Sequence, residues 1–305
     1  MTNMKILKYS FFQNPLVKRT IINLYNQYWI YLAKIMSDES YIRMIFKKSI
    51  GKRCNLEKPK TFNEKLNWMK LKLHNPYYSL LADKYEVKEI VKNIIGEEYV
   101  VPNFGVWDSF DEIDFDSLPE RFVLKATHDS GGATICKDKK TFDMRSAKIK
   151  FDHDLKVTYF YRTGEWVYKS VKHRIIADML LDDNSGHELQ DYKFWCFNGK
   201  PKIMYITNKG KNIYENFYDM EFNPSPINHG FPRKVPEYDK PKNFDLMKEL
   251  AEKLSKDIPF VRIDFFNIEG KVYFGEYTFY DWAGLRPFAD EKWDMLLGSW
   301  IKLPQ

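Results

Sequence analysis

The densest chemistry in the chain lies in residues 260–279, FVRIDFFNIEGKVYFGEYTF. Two alternating apolar runs, Phe260–Phe266 and Lys271–Phe279, flank Asn267-Ile268-Glu269-Gly270, the pattern of two strands joined by a turn. Side chains alternate across a strand, so Arg262 and Asp264 share a face opposite Val261, Ile263 and Phe265. On the second strand Glu276 and Thr278 share a face opposite Tyr277 and Phe279. Two acids brought together in a core repel unless a cation lies between them. A hard divalent ion with oxygen ligands, Mg²⁺ carrying phosphates, is the natural partner. By spacing alone the same residues equally describe an exposed hairpin face holding one Arg–acid salt bridge.

A second cluster is FVLKATHDSGGATI, residues 122–135. A strand ends in a polar turn with adjacent glycines and a strand resumes, a hairpin whose tip can bring bare backbone N–H groups onto phosphate oxygens. Lys125, alternating away from Val123, would add a point charge there. Neither GxxxxGK[ST] nor GxGxxG occurs, and Ser-Gly-Gly alone is usually just a tight turn. Asp114-Phe115-Asp116 and Asp152-His153-Asp154 are DxD pairs that would suit a metal-dependent nucleotide-sugar glycosyltransferase, the rival reading. Cys54, Cys136 and Cys196 lack CxxC spacing, and the six histidines show no HExxH, so neither a disulfide framework nor a zinc site is indicated. His128 beside the glycines is expected at the surface. Trp166, Trp195, Trp282, Trp293 and Trp300 read as core, with Trp282 alternatively stacking on a sugar ring.

The elements that position these groups follow from hydrophobic periodicity. Residues 16–36 repeat apolar side chains at helical intervals, a stripe that reads first as packing surface, though flanking lysines would also suit an anionic membrane face. Thr61–Leu73 opens with a Thr61/Glu64 capping box and carries Leu66, Trp68, Met69 and Leu73 as a stripe. Tyr78–Ile95 is a further helix, with Gly96 as its cap. Strands are expected in YVVPNF, FVLKA and ATICK, then over Arg174–Leu181, Asp191–Phe197 and Lys202–Thr207. Helices are expected over Ser146–Tyr168 and Asp245–Lys256, and a Pro-rich surface excursion over Asn223–Asn243. With 305 residues, 44% hydrophobic and 30% charged, the chain has material for two lobes and is not of disordered composition. A net charge of +6 suits anionic small molecules or a membrane face, and gives no nucleic-acid signature. The absence of a long uncharged apolar run or signal-peptide pattern leads to a cytoplasmic expectation, with a place at the inner membrane face open.

The order Asp83-Lys84, FVLKATHDSGG, RIIADMLLDD, DYKFWCFNGK and VRIDFFNIEGKVYFGEYTF resembles the ATP-grasp fold of ATP-dependent carboxylate–amine ligases. KPKTFNEKLNWMKL, DKYEVKEIV, VWDSFDEIDFDSLPERFVLK and WDMLLGSWIKLP are similar to its TupA-like branch. That branch is linked to teichuronopeptide and other bacterial surface polysaccharides, and its members are often labelled glycosyltransferases. The resemblance runs from about Glu57 to Pro304.

It implies an α+β fold with two lobes gripping ATP behind a helical N-terminal extension. The implied divisions are a helical region 1–80, a first α/β segment 81–120, a lid lobe 121–176, and a C-terminal lobe 177–305 with the Mg²⁺/ATP site. Lys84 and Lys125 would neutralise phosphates, and Ser130, Gly131 and Gly132 would form the loop over them. Asp178, Met179, Leu180, Leu181 and Asp182 would form the hinge at the adenine edge and ribose. Lys193 would approach the phosphates from the other side. Asp264 and Glu276 would bind Mg²⁺ with Thr278 in a position often held by Asn, and Arg262 would hold the acyl phosphate and tetrahedral species. The implied reaction joins a sugar-acid or amino-acid carboxylate to an amine. Three departures stand out: Ala177-Asp178-Met179 at the hinge, YDWAG at 280–284 in place of a Pro-Gly-rich turn, and helices where a Rossmann-like domain is usual. The hinge and loop departures leave open a member that binds without turnover.

Overall fold

The computed structural model describes residues 27–130, 132–183, 189–207 and 213–304. Four strands, β1 (Asn103–Trp107), β2 (Phe122–Ala126), β3 (Thr134–Cys136) and β4 (Ile175–Met179), form an antiparallel sheet ordered β1-β4-β2-β3. Its inner face, with Phe122, Leu124, Ala126, Ile175 and Ala177, packs with Ala147 and Phe151 of the helix Met144–Asp154. Five more strands, β5 (Asp191–Phe197), β6 (Lys200–Thr207), β7 (Glu215–Tyr218), β8 (Phe260–Ile268) and β9 (Lys271–Thr278), form a second antiparallel sheet ordered β7-β6-β5-β8-β9.

The larger sheet has two unlike faces, because directly paired residues of adjacent strands point the same way. One face carries Phe194, Cys196, Met204, Ile206, Ile263 and Phe265, all fully buried. Onto it packs the helix Phe244–Leu254, whose Phe244, Met247, Leu250, Ala251 and Leu254 recur at the helical period. Each large apolar side chain so buried contributes about 1.5–3 kcal/mol. The other face carries Asp191, Lys193, Arg262, Asp264 and Glu276, held rigid by that apolar backing.

The helix Phe62–Lys72 covers one end of the polar face. Its capping box forms as expected, the Glu64 N–H donating to Thr61 Oγ1 at 3.2 Å and the Thr61 N–H to Glu64 Oε2 at 3.2 Å. Phe62 stacks on Trp195 at 5.1 Å and meets Phe260 edge-on at 4.8 Å. From Phe62 onward the helical region thus shares the core of the larger sheet.

Several boundaries differ from expectation. Within residues 16–36 helix is present over 27–35, and 16–26 lie outside the described residues. Ser146–Tyr168 is not one helix: Met144–Asp154 is followed by Phe160–Thr163 and a 3₁₀ turn at Trp166–Tyr168, with Gly164 at φ 71° ending the middle piece. Glu97–Tyr99 is a 3₁₀ turn, so β1 starts only at Asn103. β1 comes from the 81–120 segment yet pairs with β4, and the smaller sheet therefore spans the division at 120. The β8–β9 turn is two residues rather than four, Glu269 at φ 51° and Gly270 at φ 83°, the left-handed pair of a type I′ hairpin. Among the described residues no helix is long and apolar enough to cross a membrane.

The closing helix Glu291–Trp300 lies so close to the start of Phe62–Lys72 that a Cβ on Gly298 would sit 2.2 Å from the Lys60 carbonyl oxygen. Inside a helix Gly→Ala ordinarily stabilises by about 1 kcal/mol. Here overpacking reverses the sign, and Gly298→Ala is expected to lower the unfolding free energy by about 1–3 kcal/mol in denaturant titration. A gain in stability would show that the two helices can separate freely.

Candidate active site

β8 and β9 bring four expected residues together in register: Arg262 pairs with Thr278, and Asp264 with Glu276. A bulge just beyond Asp264 accommodates Gly275, where a Cβ would meet the Asp264 carbonyl oxygen at 3.0 Å. Arg262 and Asp264 are buried, at 8% and 3% exposure, which rules out the exposed-hairpin reading. The acids are paired with protein cations. Arg262 donates through Nε and Nη2 to Asp264, each at 2.7 Å, through Nη2 to Glu276 at 2.9 Å and through Nη1 to Asp281 at 2.5 Å. Lys193, directly opposite Asp264 on β5, reaches it at 2.5 Å and Asp191 at 3.3 Å.

Burial alone would discharge these groups, but their mutual attraction prevails. Burial opposes the Arg262 charge, yet Asp264, Tyr205 and Asp281 hold its pKa well above the usual value. Burial likewise works against ionised Asp264, and Arg262 with Lys193 still depresses its pKa. Lys193 is raised despite burial and Arg262, through Asp264, Asp191 and Glu276.

A second set of cations gathers at the smaller sheet. Its register puts Lys125 on the same face as Val123, not the opposite one, beside Asp178 and Ile176 of β4. Lys125 Nζ lies 2.9 Å from Asp178 Oδ2, and Lys88 Nζ 3.0 Å from its Oδ1. Asp178 is therefore a buried counter-ion between two lysines, beyond the backbone role expected at the hinge. Burial lowers the Lys88 pKa, opposed by Asp178. Lys84 donates to the Ala126 carbonyl at 3.1 Å and pairs with Asp129 at 2.9 Å. Ser130 is exposed, Gly132 is left-handed at φ 79° with its Cα beside the Asp129 carboxylate, and Gly131 lies outside the described residues. Met179 ends β4, its N–H donating to the Pro102 carbonyl at 2.9 Å; Leu180 and Leu181 follow half-buried, and Asp182 pairs with Arg121.

Three groups escaped the sequence reading. Lys88 was not singled out by the helical pattern over Tyr78–Ile95. Lys70, on the polar side of Phe62–Lys72, is fully buried and donates to the carbonyls of Ala283 at 2.6 Å and Thr163 at 2.8 Å. Burial pushes its pKa down, and that of nearby Glu165 up, each drawing the other partly back. Asp281, within YDWAG, is completely buried, bonds Arg262 and accepts from Tyr205 at 3.1 Å. The following Trp282, Ala283 and Gly284 are all left-handed, at φ 46°, 56° and 58°. Asn67 pins this strained turn by donating to Gly284 O at 2.7 Å. A doublet of Asn63 and Asn67 with Lys70, spaced three and four apart on a helix, was the available signal.

His128 is corrected from surface to core: it is 1% exposed, stacks on His173 at 3.7 Å, and burial lowers its pKa to about 4. Three of the four DxD carboxylates are engaged locally. Asp114 accepts from the Asp116 N–H at 3.1 Å, while Asp152 and Asp154 pair with Lys148 and Lys150 on one helix. A cavity of about 420 Å³ lined by Thr134, Phe142 and Lys150 includes none of the site residues of the larger sheet.

The sequence profile of the family described as TupA-like ATPgrasp matches residues 64–302. The chain belongs to this TupA-like ATP-grasp family. Its fold is the α+β ATP-grasp fold. No protein of curated function matches it. Similar solved structures include a D-alanine–D-alanine ligase from Bacillus anthracis, at 13% identity and TM-score 0.39, covering 65% of this chain and 57% of that one. A D-alanine–D-alanine ligase from Helicobacter pylori has 16% identity and TM-score 0.39, covering 73% and 62%. A RimK domain ATP-grasp protein from Sphaerobacter thermophilus has 11% identity and TM-score 0.41, covering 73% and 68%. The chain thus spans about 57–62% of the length of the two D-alanine ligases.

ATP-grasp membership implies magnesium, and the donor set fits it. Among the described residues no group of three or more His, Cys, Asp or Glu is arranged to hold a metal alone. Magnesium, however, is usually held by one or two carboxylates with phosphates and water. Asp264 and Glu276 converge on the one Arg262 Nη2, and the Thr278 hydroxyl lies 3.1 Å from Glu276 Oε1.

At the far edge of the same sheet face, Glu215 on β7 is buried, and burial together with Asp281 pushes its pKa up to about 8, against Arg286 and Arg262. An unfolded Glu ionises near 4.5, so the native state alone keeps the proton above that pH. Wild-type stability should therefore fall relative to Glu215→Gln, by at most ~1.4 kcal/mol per pH unit, as pH rises from about 4.5 to 8, and level off beyond. Denaturant titrations at pH 5, 6.5 and 8 measure the gap, and a constant gap would mean that Glu215 is ionised throughout.

Proposed function

We propose that the chain is an ATP-dependent ligase that joins a carboxylate to an amine, with a sugar acid or amino acid of bacterial surface polysaccharide as the carboxylate partner. The observation that carries this reading is the in-register pair of buried Asp264 and half-exposed Glu276, bonded to buried Arg262 and flanked by Lys193, on the polar face of a sheet whose chain carries the ATP-grasp profile. A carboxylate is a poor electrophile. Attack of its oxygen on the γ-phosphorus of ATP would expel ADP and form an acyl phosphate; an amine would then attack the acyl carbon, and phosphate and a proton leave as the amide forms.

In this scheme Lys84, Lys88 and Lys125 offset phosphate charge, exchanging Asp129 and Asp178 for phosphate oxygens. Lys193 does so from the larger sheet. Asp264 and Glu276, with Thr278 beside them, would hold Mg²⁺, which when bound neutralises charge on the transferring phosphoryl group. Arg262 stabilises the oxyanion of the tetrahedral species, oriented for that by Asp281 and Tyr205. Closure of the smaller sheet over the larger would keep water from the acyl phosphate. The divisions 1–80, 81–120, 121–176 and 177–305 would form its lobes, with the protein acting inside the cell, at the inner face of the membrane. The glycosyltransferase reading gains little from the DxD pairs, since Asp114, Asp152 and Asp154 are engaged locally.

Phosphate release from ATP, assayed against sets of uronic acids and amines, should depend on both substrates and fall on the order of 100-fold or more in Asp264→Asn and in Glu276→Gln. Turnover that survives both substitutions rules out this site. Lys88→Met should raise the Kd for a non-hydrolysable ATP analogue about tenfold, because Asp178 then binds Lys125 undivided. Calorimetric titration reads this directly, and unchanged affinity would remove Lys88 from the nucleotide site.

A further inference from the structure

Amide formation releases a proton, and most acids around Arg262 are already committed. Asp264 and Glu276 are bonded to Arg262, Asp281 to Arg262 and Tyr205, and Asp191 pairs with Lys193. Burial, with Asp281, pushes the Glu215 pKa up to about 8. Glu165 is different. It is 5% exposed and sits between the left-handed Gly164 and the 3₁₀ turn Trp166–Tyr168. Among the described residues it is in no ion pair, and its one hydrogen bond runs from Thr163 Oγ1 to Oε1 at 2.8 Å. Oε2 is not sealed from solvent as Glu215 Oε2 and Asp281 Oδ2 are.

A buried glutamate near a buried lysine is ordinarily that lysine's counter-ion. Lys70, however, spends its three ammonium hydrogens on Asn67 Oδ1 at 3.1 Å, the Thr163 carbonyl at 2.8 Å and the Ala283 carbonyl at 2.6 Å, and none reaches Glu165. From the larger sheet Glu276 and Arg262 both act on Glu165 electrostatically. From the smaller one comes Tyr159, bonded to Ser130 of the glycine turn and edge-on to Tyr168 at 5.1 Å. Both tyrosines stand in the fields of Glu165 and Asp129, and Tyr168 also in that of Glu276. Glu165 thus stands where the glycine turn, Glu276 and Arg262 meet. Burial raises its pKa; Lys70, Thr163 and Arg262 draw it back, and Glu276 adds to the rise. The other titratable groups facing it, Tyr159, Tyr168 and Tyr280, are kept protonated by burial and by Glu165 itself. A carboxylate made more basic, with an oxygen left over, is suited to accept a proton.

We propose that Glu165 is the base of the ligation step, taking a proton from the ammonium of the amine substrate through Oε2. This rests on the ligase reading and deepens it. The nitrogen lone pair so freed attacks the acyl carbon, the bond from that carbon to the phosphate oxygen breaks, and the departing phosphate carries off a second nitrogen proton as the amide forms. Glu165 then returns its proton to water. Thr163 and Lys70 are positioning residues, tying Glu165 to the turn that supplies Asp281.

The test gives the full chain ATP, Mg²⁺ and the carboxylate that supports phosphate release, with either an amine or hydroxylamine as nucleophile. Hydroxylamine is uncharged near neutral pH and attacks an acyl phosphate without first giving up a proton, so the hydroxamate reports the acyl phosphate independently of any base. Glu165→Gln keeps the side chain's shape and its Thr163 bond. At about pH 7 it should lose about 100-fold or more in kcat with the amine, keep hydroxamate formation within about threefold, and hold the Kd of a non-hydrolysable ATP analogue within about twofold. Its rate with the amine should climb as pH approaches the ammonium's own pKa, and Glu165→Asp should recover part of the loss. Equal loss with both nucleophiles would make Glu165 structural, and undiminished amine turnover would leave it no role; either result overturns the proposal while the ligase reading stands. A wild-type chain that forms neither amide nor hydroxamate with any carboxylate refutes the ligase reading itself, and the base with it.

Discussion

The structure turns on the charge balance around one buried guanidinium. Arg262 is enclosed by Asp264, Glu276 and Asp281, and every nitrogen of its head group is engaged. A desolvated arginine without those acids would cost several kcal/mol, and the acids without it would protonate. Each group is therefore a condition for the others. The sheet that carries them must hold its register, since a one-residue slip would put Arg262 and Asp264 into the apolar layer occupied by Ile263 and Phe265.

The N-terminal helices gain their meaning from the same balance. Phe62–Lys72 is amphipathic in an unusual sense, with Phe62, Leu66 and Met69 serving the aromatic core and Asn63, Asn67 and Lys70 serving the backbone of the turn after β9. That turn supplies Asp281. A helix that reads as an appendage by position is thus the clamp that keeps Asp281 against Arg262, and Gly298 lets the last helix approach closely enough to lock it.

Legibility followed the range of the forces involved. The capping box at Thr61, the β2 strand and the β8–β9 pair are written in local periodicity and turn chemistry, and they formed where expected. The face shared by Arg262, Asp264, Glu276 and Thr278 followed from alternation alone. What alternation could not supply was burial, and with it the choice between an exposed salt bridge and a sealed network. Lys88, Lys70 and Asp281 were hidden because a buried charge is recognised only by its distant partner: Asp178, Ala283 and Arg262 lie tens to hundreds of residues away. β7 gave no signal because four residues are too few to establish a period. At YDWAG the chain places a buried acid followed by three left-handed residues, Trp282, Ala283 and Gly284, where a Pro-Gly-rich turn was expected.

The lysines of the smaller sheet carry a kinetic consequence. Lys84 and Lys125 already lean on Asp129 and Asp178, so part of their charge is met locally before any ligand arrives. An incoming polyanion would be drawn in by swapping partners at close quarters, not by long-range steering, and its capture rate should vary little with ionic strength. Because Asp129 adjoins the glycine turn, the carboxylate displaced from Lys84 belongs to the very loop expected to fold over the newcomer. Entry and enclosure would then be halves of one exchange.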